Sequence, residues 1–270
     1  INEQEIAFLE EYIFFTDNGS VFQQENHPYA YDLDILGERS LYHYLNRTHT
    51  FLGRKLLAER LLSPTPERIL DTQKQIQALT PDLTWRQTFT AYAQQIDDSE
   101  EFYTKLSAWA KAPIKLLSNT MRYTLIALPI LLVVCLLIGY GWDNELLKTI
   151  GKLLLTVNLV TFFSFIGKIA KEKLGFERTY TMLYAFRECI AQVEARFPER
   201  NQQASTKIAQ LSRLLDDLDS VGNILVSIPL NAFSFYHIHR YQQLLQWKAH
   251  YAAHIEEWLQ SVGEIEVLCS

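Results

Sequence analysis

His250 and His254 stand four residues apart with Glu257 close behind. On a helix that spacing puts two imidazoles on one face, where they can hold a metal ion. There is no HExxH pattern and no third ligand at a fixed distance, so packing or surface histidines are the plainer reading. His237 and His239, two apart, would point to different faces of a helix. Asp216, Asp217 and Asp219 offer carboxylates for cation binding or proton transfer, but an acidic cluster at a helix end is more often a solvated turn. The chain contains no GxxxxGK[ST] loop to cradle a phosphate, no GxSxG, and no Cys–His pair at catalytic spacing. Catalytic residues, bound cofactors and metal ligands are therefore not expected in this chain.

A second kind of chemistry is electrostatic. Arg39, Arg47, Arg54, Lys55 and Arg60 make one stretch locally basic, interleaved with Tyr42 and Tyr44, and Arg47, Arg54 and Lys55 are candidate contacts to a DNA backbone. The plainer use is support of helix ends. Over its 270 residues the chain carries a net charge of -6, with a pI near 5.7. That balance argues against a strong footprint for nucleic acid. Cys135, Cys189 and Cys269 are scattered and odd in number, a reduced, cytoplasmic usage rather than a disulfide framework.

These residues must be positioned by helices. From Tyr31 to Pro64 the chain reads as an acidic lead-in and two helices separated by a polar break. Ser40 caps a helix carrying Leu41, Tyr44 and Leu45 on one face, and Asn46, Arg47 and Thr48 interrupt it. Thr50 caps a second helix with Leu52, Leu56, Leu57 and Leu61 at helical spacing. Gly53 lies inside that helix at a cost of about 1 kcal/mol relative to Ala, which a close helix–helix approach would explain.

Asp32-Leu33-Asp34, Gly37, Ser40-Leu41, Leu45-Asn46-Arg47-Thr48, Thr50, Gly53 and Leu57 together resemble the opening of the core region of MutS-type mismatch-repair proteins. A second match lies near the other end: Asn231, Trp247-Lys248, Trp258-Leu259 and Glu264-Ile265-Glu266 resemble the helix leading into the ATPase domain of such proteins. The resemblance implies a core and lever that connect an ATPase to a DNA-holding clamp and carry no catalysis themselves. Asp32, Asp34, Gly37, Ser40, Leu41, Asn46, Thr48, Thr50 and Gly53 would then be structural motif positions. ATP and magnesium would belong to the full-length protein, in a domain beyond Ser270. The chain opens without Met and stops at GEIEVLCS, so it is expected to be a fragment.

The middle departs from that pattern. Tyr123 to Trp142 has no charge and is apolar on every face. Twenty residues suffice to cross about 30 Å of hydrocarbon, and its eleven Leu, Ile and Val residues favour insertion by about 0.3–0.6 kcal/mol each. After Asp143-Asn144-Glu145, a second run from Leu153 to Gly167 is uncharged but short, and spans only if extended back past Lys152 and Lys148. Lys111, Lys115 and Arg122 precede the pair and Lys168, Lys171 and Lys173 follow it, which places both ends on the cytoplasmic face of a membrane. The competing reading is a buried soluble hairpin or an oligomer interface.

Elsewhere, helical spacing extends from Glu3 to Phe15 and from a Thr65 cap with Pro66 through Ile69, Gln73, Ile76 and Leu79. It continues over Leu83–Ile96, Ser99–Ala110, Glu172–Arg196 and Gln203–Leu218, and over Ala232–Val262 as one helix about 45 Å long. Ser220 to Pro229 reads as irregular or briefly extended. The expected fold is all-α, an extended core and lever bundle with an inserted apolar hairpin. It is divided into a lead-in (1–30), core helices (31–118), the hairpin (119–170) and returning helices (171–270). Candidate partners are DNA, a C-terminal ATPase domain, a membrane and a second copy. The alternative is a membrane-anchored scaffold that binds proteins and has no DNA role.

Overall fold

The computed structural model describes residues 2–172, 179–198 and 203–270. Among these the regular elements are all helical and no strand occurs. The helices are α1 (Asn2–Glu11), α2 (Leu41–Leu45), α3 (Phe51–Leu62), α4 (Ile69–Leu79), α5 (Leu83–Ala93), α6 (Glu100–Lys111), α7 (Asn119–Gly141), α8 (Glu145–Glu172), α9 (Thr179–Arg196), α10 (Ala204–Asp219), α11 (Ile224–Ser234), α12 (Tyr236–Tyr251) and α13 (Ile255–Cys269). The chain divides into two compact units, one of residues 1–104, 181–208 and 254–270, the other of residues 105–180 and 209–253.

In the first unit, α13 packs against α3 and α4. Ile35, Leu36, Tyr42, Leu57, Ala58, Leu62 and Val267 form a shared core. Local chemistry starts both helices of the opening stretch. The Ser40 side chain accepts from the His43 amide, and the Thr50 side chain accepts from the Gly53 amide. The face that α2 buries differs from the one its spacing suggested: Tyr42 and His43 are buried, while Leu41 and Tyr44 are exposed. With only five residues, α2 is oriented by its strongest anchors. The Tyr42 hydroxyl donates to the Arg54 carbonyl at 3.3 Å, and the His43 ring lies 4.0 Å from that of Phe14.

Pro66 opens a short 3-10 turn (Pro66–Arg68) rather than the α-helix itself, and Thr65 makes no side-chain cap. In α4 only Leu79 is buried, with Ile69 and Ile76 exposed.

In the second unit, α7 and α8 pack side by side, and α11 lies against both of them. α8 does extend back past Lys152 and Lys148, so both apolar runs are helices long enough to cross a membrane. The hairpin tip is tied by Lys148, which bonds Asp143 and Glu145. Close approach at the tip needs Gly139 and Gly151. A Cβ on Gly139 would lie 2.8 Å from the Lys148 amide nitrogen, and one on Gly151 2.7 Å from a Leu136 methyl.

The return differs from expectation. Ser220 to Pro229 is not irregular: a 3-10 turn over Ser220–Gly222 leads into α11, which contains Pro229. The expected 45 Å helix is broken twice, at Phe235, which adopts φ 49°, and at the 3-10 turn Ala252–His254. Helical periodicity persists across both joints, which is why the breaks leave no mark on the spacing. The segment 173–178 at the start of the expected Glu172–Arg196 helix lies outside the described residues.

Candidate functional site

The backbone entering α3 carries amides in need of acceptors, as every helix start does. Two carboxylates from far along the chain supply them. Glu266, on α13, is fully buried, and its Oε1 accepts from the His49 amide at 2.7 Å and the Thr50 amide at 3.2 Å, while its Oε2 takes the Thr50 hydroxyl. Asp98 Oδ1 accepts from the Phe51 amide at 2.7 Å. Burial pushes Glu266 up to about 7 and Asp98 up to about 6, the hydrogen bonds to their oxygens opposing but not cancelling it. The same burial lowers His49 to about 4.

Glycines let the two helices come this close. A Cβ on Gly263 would lie 2.9 Å from the Gly53 nitrogen and 3.0 Å from the Leu52 carbonyl carbon, and one on Gly53 would overlap the Glu266 carboxylate. Gly53 thus stands at a close helix crossing, as its cost within α3 suggested. Glu266 was legible only as a position in a sequence pattern; nothing nearby in the chain announces its acceptor role.

The remaining motif residues build the approach to this crossing. Asp32 is exposed; Asp34 adopts φ 47° and gives its carbonyl to the Leu41 amide. Gly37, at φ 112°, occupies a conformation that favours glycine and donates to the Asn18 carbonyl. Asn46 is buried, accepts from the Thr48 amide and hydroxyl, and donates to the Asp17 carbonyl. Of the candidate DNA contacts, Arg47 is engaged: it bonds Glu5 through both carboxylate oxygens at 2.6 and 3.1 Å, bonds the Tyr44 and Asn46 carbonyls, and lies over the Phe8 and Phe15 rings. Lys55 is exposed and 3.9 Å from Glu59, and Arg54 is half-buried.

The second unit has its own buried charge. Lys248, 3% exposed, donates to Glu172 at 3.2 Å and lies over the Trp109 ring, and the Trp109 indole donates to the same carboxylate at 2.9 Å. Beside it an open cleft of about 520 Å³ runs along α10 and α12, lined by Arg213, Asp217, Arg240, Trp247 and Tyr251 among others. Asp217 accepts from the Tyr236 hydroxyl at 3.0 Å and pairs with Arg240 at 3.1 Å. His237 is buried between Asn231 and Ser220, at 2.6 and 2.9 Å. His250 bonds the Gln246 carbonyl and His254 pairs with Glu257 at 3.7 Å. Among the described residues no three His, Cys, Asp or Glu side chains are grouped to hold a metal ion.

No family model, curated protein or solved structure matches this chain. A carboxylate on one helix clamps the amides of another, so a shift of α13 along α3 must break buried hydrogen bonds.

Proposed function

We propose that this chain is the core-and-lever region of a MutS-like ATPase, with its apolar hairpin anchored in a membrane and both hairpin ends on the cytoplasmic side. In this reading α13 leads into the ATPase domain, and the α3–α13 crossing carries nucleotide-driven motion into the helical arm. The observation that carries it is the crossing. The two stretches with the MutS-like pattern stand 216 residues apart at Thr50 and Glu266, yet meet through a buried carboxylate and two facing glycines. ATP and magnesium would be held by the ATPase domain. A second reading, a membrane-anchored scaffold for protein partners, draws support from the net charge of -6 and from an Arg47 already spent on Glu5.

Two tests bear on these readings, and the first separates them. A GxxxxGK[ST] loop encoded within about 100 residues after Ser270, one small domain's length, is expected. Residues 1–270 alone should show no saturable ATP binding by calorimetry. Absence of that loop defeats the ATPase reading and leaves the scaffold.

The membrane part of the proposal rests on which side chains face out. Of α7, Leu125, Leu132, Cys135 and Gly139 turn inward, while Ile126, Ile130, Val133, Val134 and Leu137 are exposed. Exposed Tyr123 and Trp142 mark the two ends. They are nineteen residues apart, about 28 Å along a helix, close to the thickness of hydrocarbon between two aromatic belts. Val133→Arg puts a charge on the outer face without filling the interior. It should weaken membrane partition by about 2.5–3.5 kcal/mol and leave the far-ultraviolet spectrum helical. Unchanged partition in a vesicle flotation assay would sink the membrane reading.

A further inference from the structure

α11 is built inside out. Its buried residues include Ser227, Asn231 and Ala232, and its exposed ones Ile224, Leu225, Val226, Leu230 and Phe233, with Leu225 87% exposed. A helix on a water-facing surface shows the reverse order. The inward Asn231 is hydrogen-bonded on both sides of its amide. Asn231 donates to the Ser227 carbonyl at 2.6 Å and accepts from the His237 amide at 3.0 Å. From α8, buried Asn158 donates to the Ala232 carbonyl at 2.8 Å.

The contacts along α8 fix where the C-terminal end of α11 lies. Asn158 meets Ala232, the Phe162 ring is 6.3 Å from that of His237, the Phe165 ring is 6.3 Å from that of Tyr241, and Glu172 meets Lys248. α12 therefore descends beside α8 toward Glu172, and the turn at Phe235 sits level with Asn158 to Phe162. Those positions are six to ten residues from exposed Lys168, or about 9–15 Å along the helix. Half of a hydrocarbon core is about 15 Å. With eleven residues, α11 is about 16 Å long and cannot span.

We propose that α11 is a half-membrane helix, embedded by its Leu225, Val226, Leu230 and Phe233 face in the acyl chains of the leaflet that adjoins Lys168 and Lys171. This rests on the hairpin spanning that membrane. The occupant is lipid because the exposed apolar face continues from α7 and α8, on which α11 packs, and because the basic residues at that end, Arg122, Lys168 and Lys171, suit anionic headgroups.

The test is nitroxide accessibility on residues 1–270 in vesicles of mixed zwitterionic and anionic phospholipid. Labels are placed singly at Leu225→Cys, Phe233→Cys, Val133→Cys and His250→Cys. Cys269 is replaced by Ser, and the thiols of Cys135 and Cys189 are buried. Leu225→Cys and Phe233→Cys should collide several-fold more with oxygen than with a polar nickel complex, as Val133→Cys does, while His250→Cys prefers the nickel complex. If Val133→Cys reads as lipid-exposed but Leu225→Cys as water-exposed, this proposal falls and the hairpin stands. If Val133→Cys reads as water-exposed, both fall. Protection of Leu225→Cys from both reagents, with spin–spin broadening between copies, means a protein partner covers the face and overturns the lipid assignment.

Discussion

Lys248→Met should lower the thermal midpoint of the chain in lipid nanodiscs by about 6–12 °C. The substitution keeps the length of the stem over Trp109 but removes the only cation bonded to Glu172 among the described contacts of that carboxylate. Breaking a buried pair from one side costs about 3–5 kcal/mol, because a charge is left without its partner. Glu172 retains 19% side-chain exposure and the Trp109 indole bond, so the lower end, about 3 kcal/mol, is expected. For a chain of this size that corresponds to about 2–4 °C per kcal/mol. Adding Glu172→Gln should restore most of the loss, since the double variant buries no net charge. A double variant as unstable as Lys248→Met alone would mean that packing of the lysine stem, not charge pairing, holds this site.

A second large effect belongs to Glu266. Its folded pKa is raised from 4.5 to about 7 by burial. The folded state therefore holds a proton that the unfolded state releases, and the group's contribution to stability is full below about pH 4.5 and lost as pH rises through about 7. A rise of this size is worth about 3 kcal/mol, at about 1.4 kcal/mol per tenfold change in proton affinity. Asp98, raised to about 6, acts in the same direction at lower pH. His49, lowered to about 4, acts in the opposite direction, its stability present above the ordinary histidine pKa and lost as pH falls toward 4. The raw pH profile mixes these, so the informative quantity is the stability of the natural chain minus that of Glu266→Gln. The glutamine keeps an acceptor for the His49 and Thr50 amides and can donate to the Thr50 hydroxyl. The difference should decline by about 3 kcal/mol between pH 4.5 and 7, followed by urea unfolding in nanodiscs. A difference that stays level across that range would show that Glu266 is ionised throughout.

What the sequence disclosed and what it hid divide along physical lines. Caps are local: Ser40 and Thr50 announce α2 and α3 because their partners are three residues away. The first membrane-length helix is equally plain from its length and lack of charge, whereas the second shows only as a short uncharged run because Lys148 and Lys152 lie inside the helix. Gly53 signalled a close approach but not its partner, because Gly263 lies on another helix over 200 residues on. α11 was hidden because Pro229 reads as a breaker, whereas here it sits on the exposed face of a helix whose neighbours are α7 and α8. The break at Phe235 was hidden for the opposite reason: a left-handed joint made by an aromatic residue has neither glycine nor proline to mark it. Arg47 reads in the sequence as a candidate DNA contact or a support of a helix end, and its bonds to Glu5 and the rings beneath it were hidden because these come from the lead-in, which carries no motif.

The clamp on α3 also sets a schedule. Thr50 leaves the ribosome 216 residues before Glu266 does. At about 5–20 residues per second that is a wait of roughly 10–40 s. During it the first turn of α3 has its own threonine cap but not the acceptor that holds it in the finished protein. The apolar hairpin, complete by Glu172, is synthesised inside that interval. On the membrane reading proposed above, a nascent chain would commit its hairpin to lipid first and close its first unit last, with α13 as the closing piece.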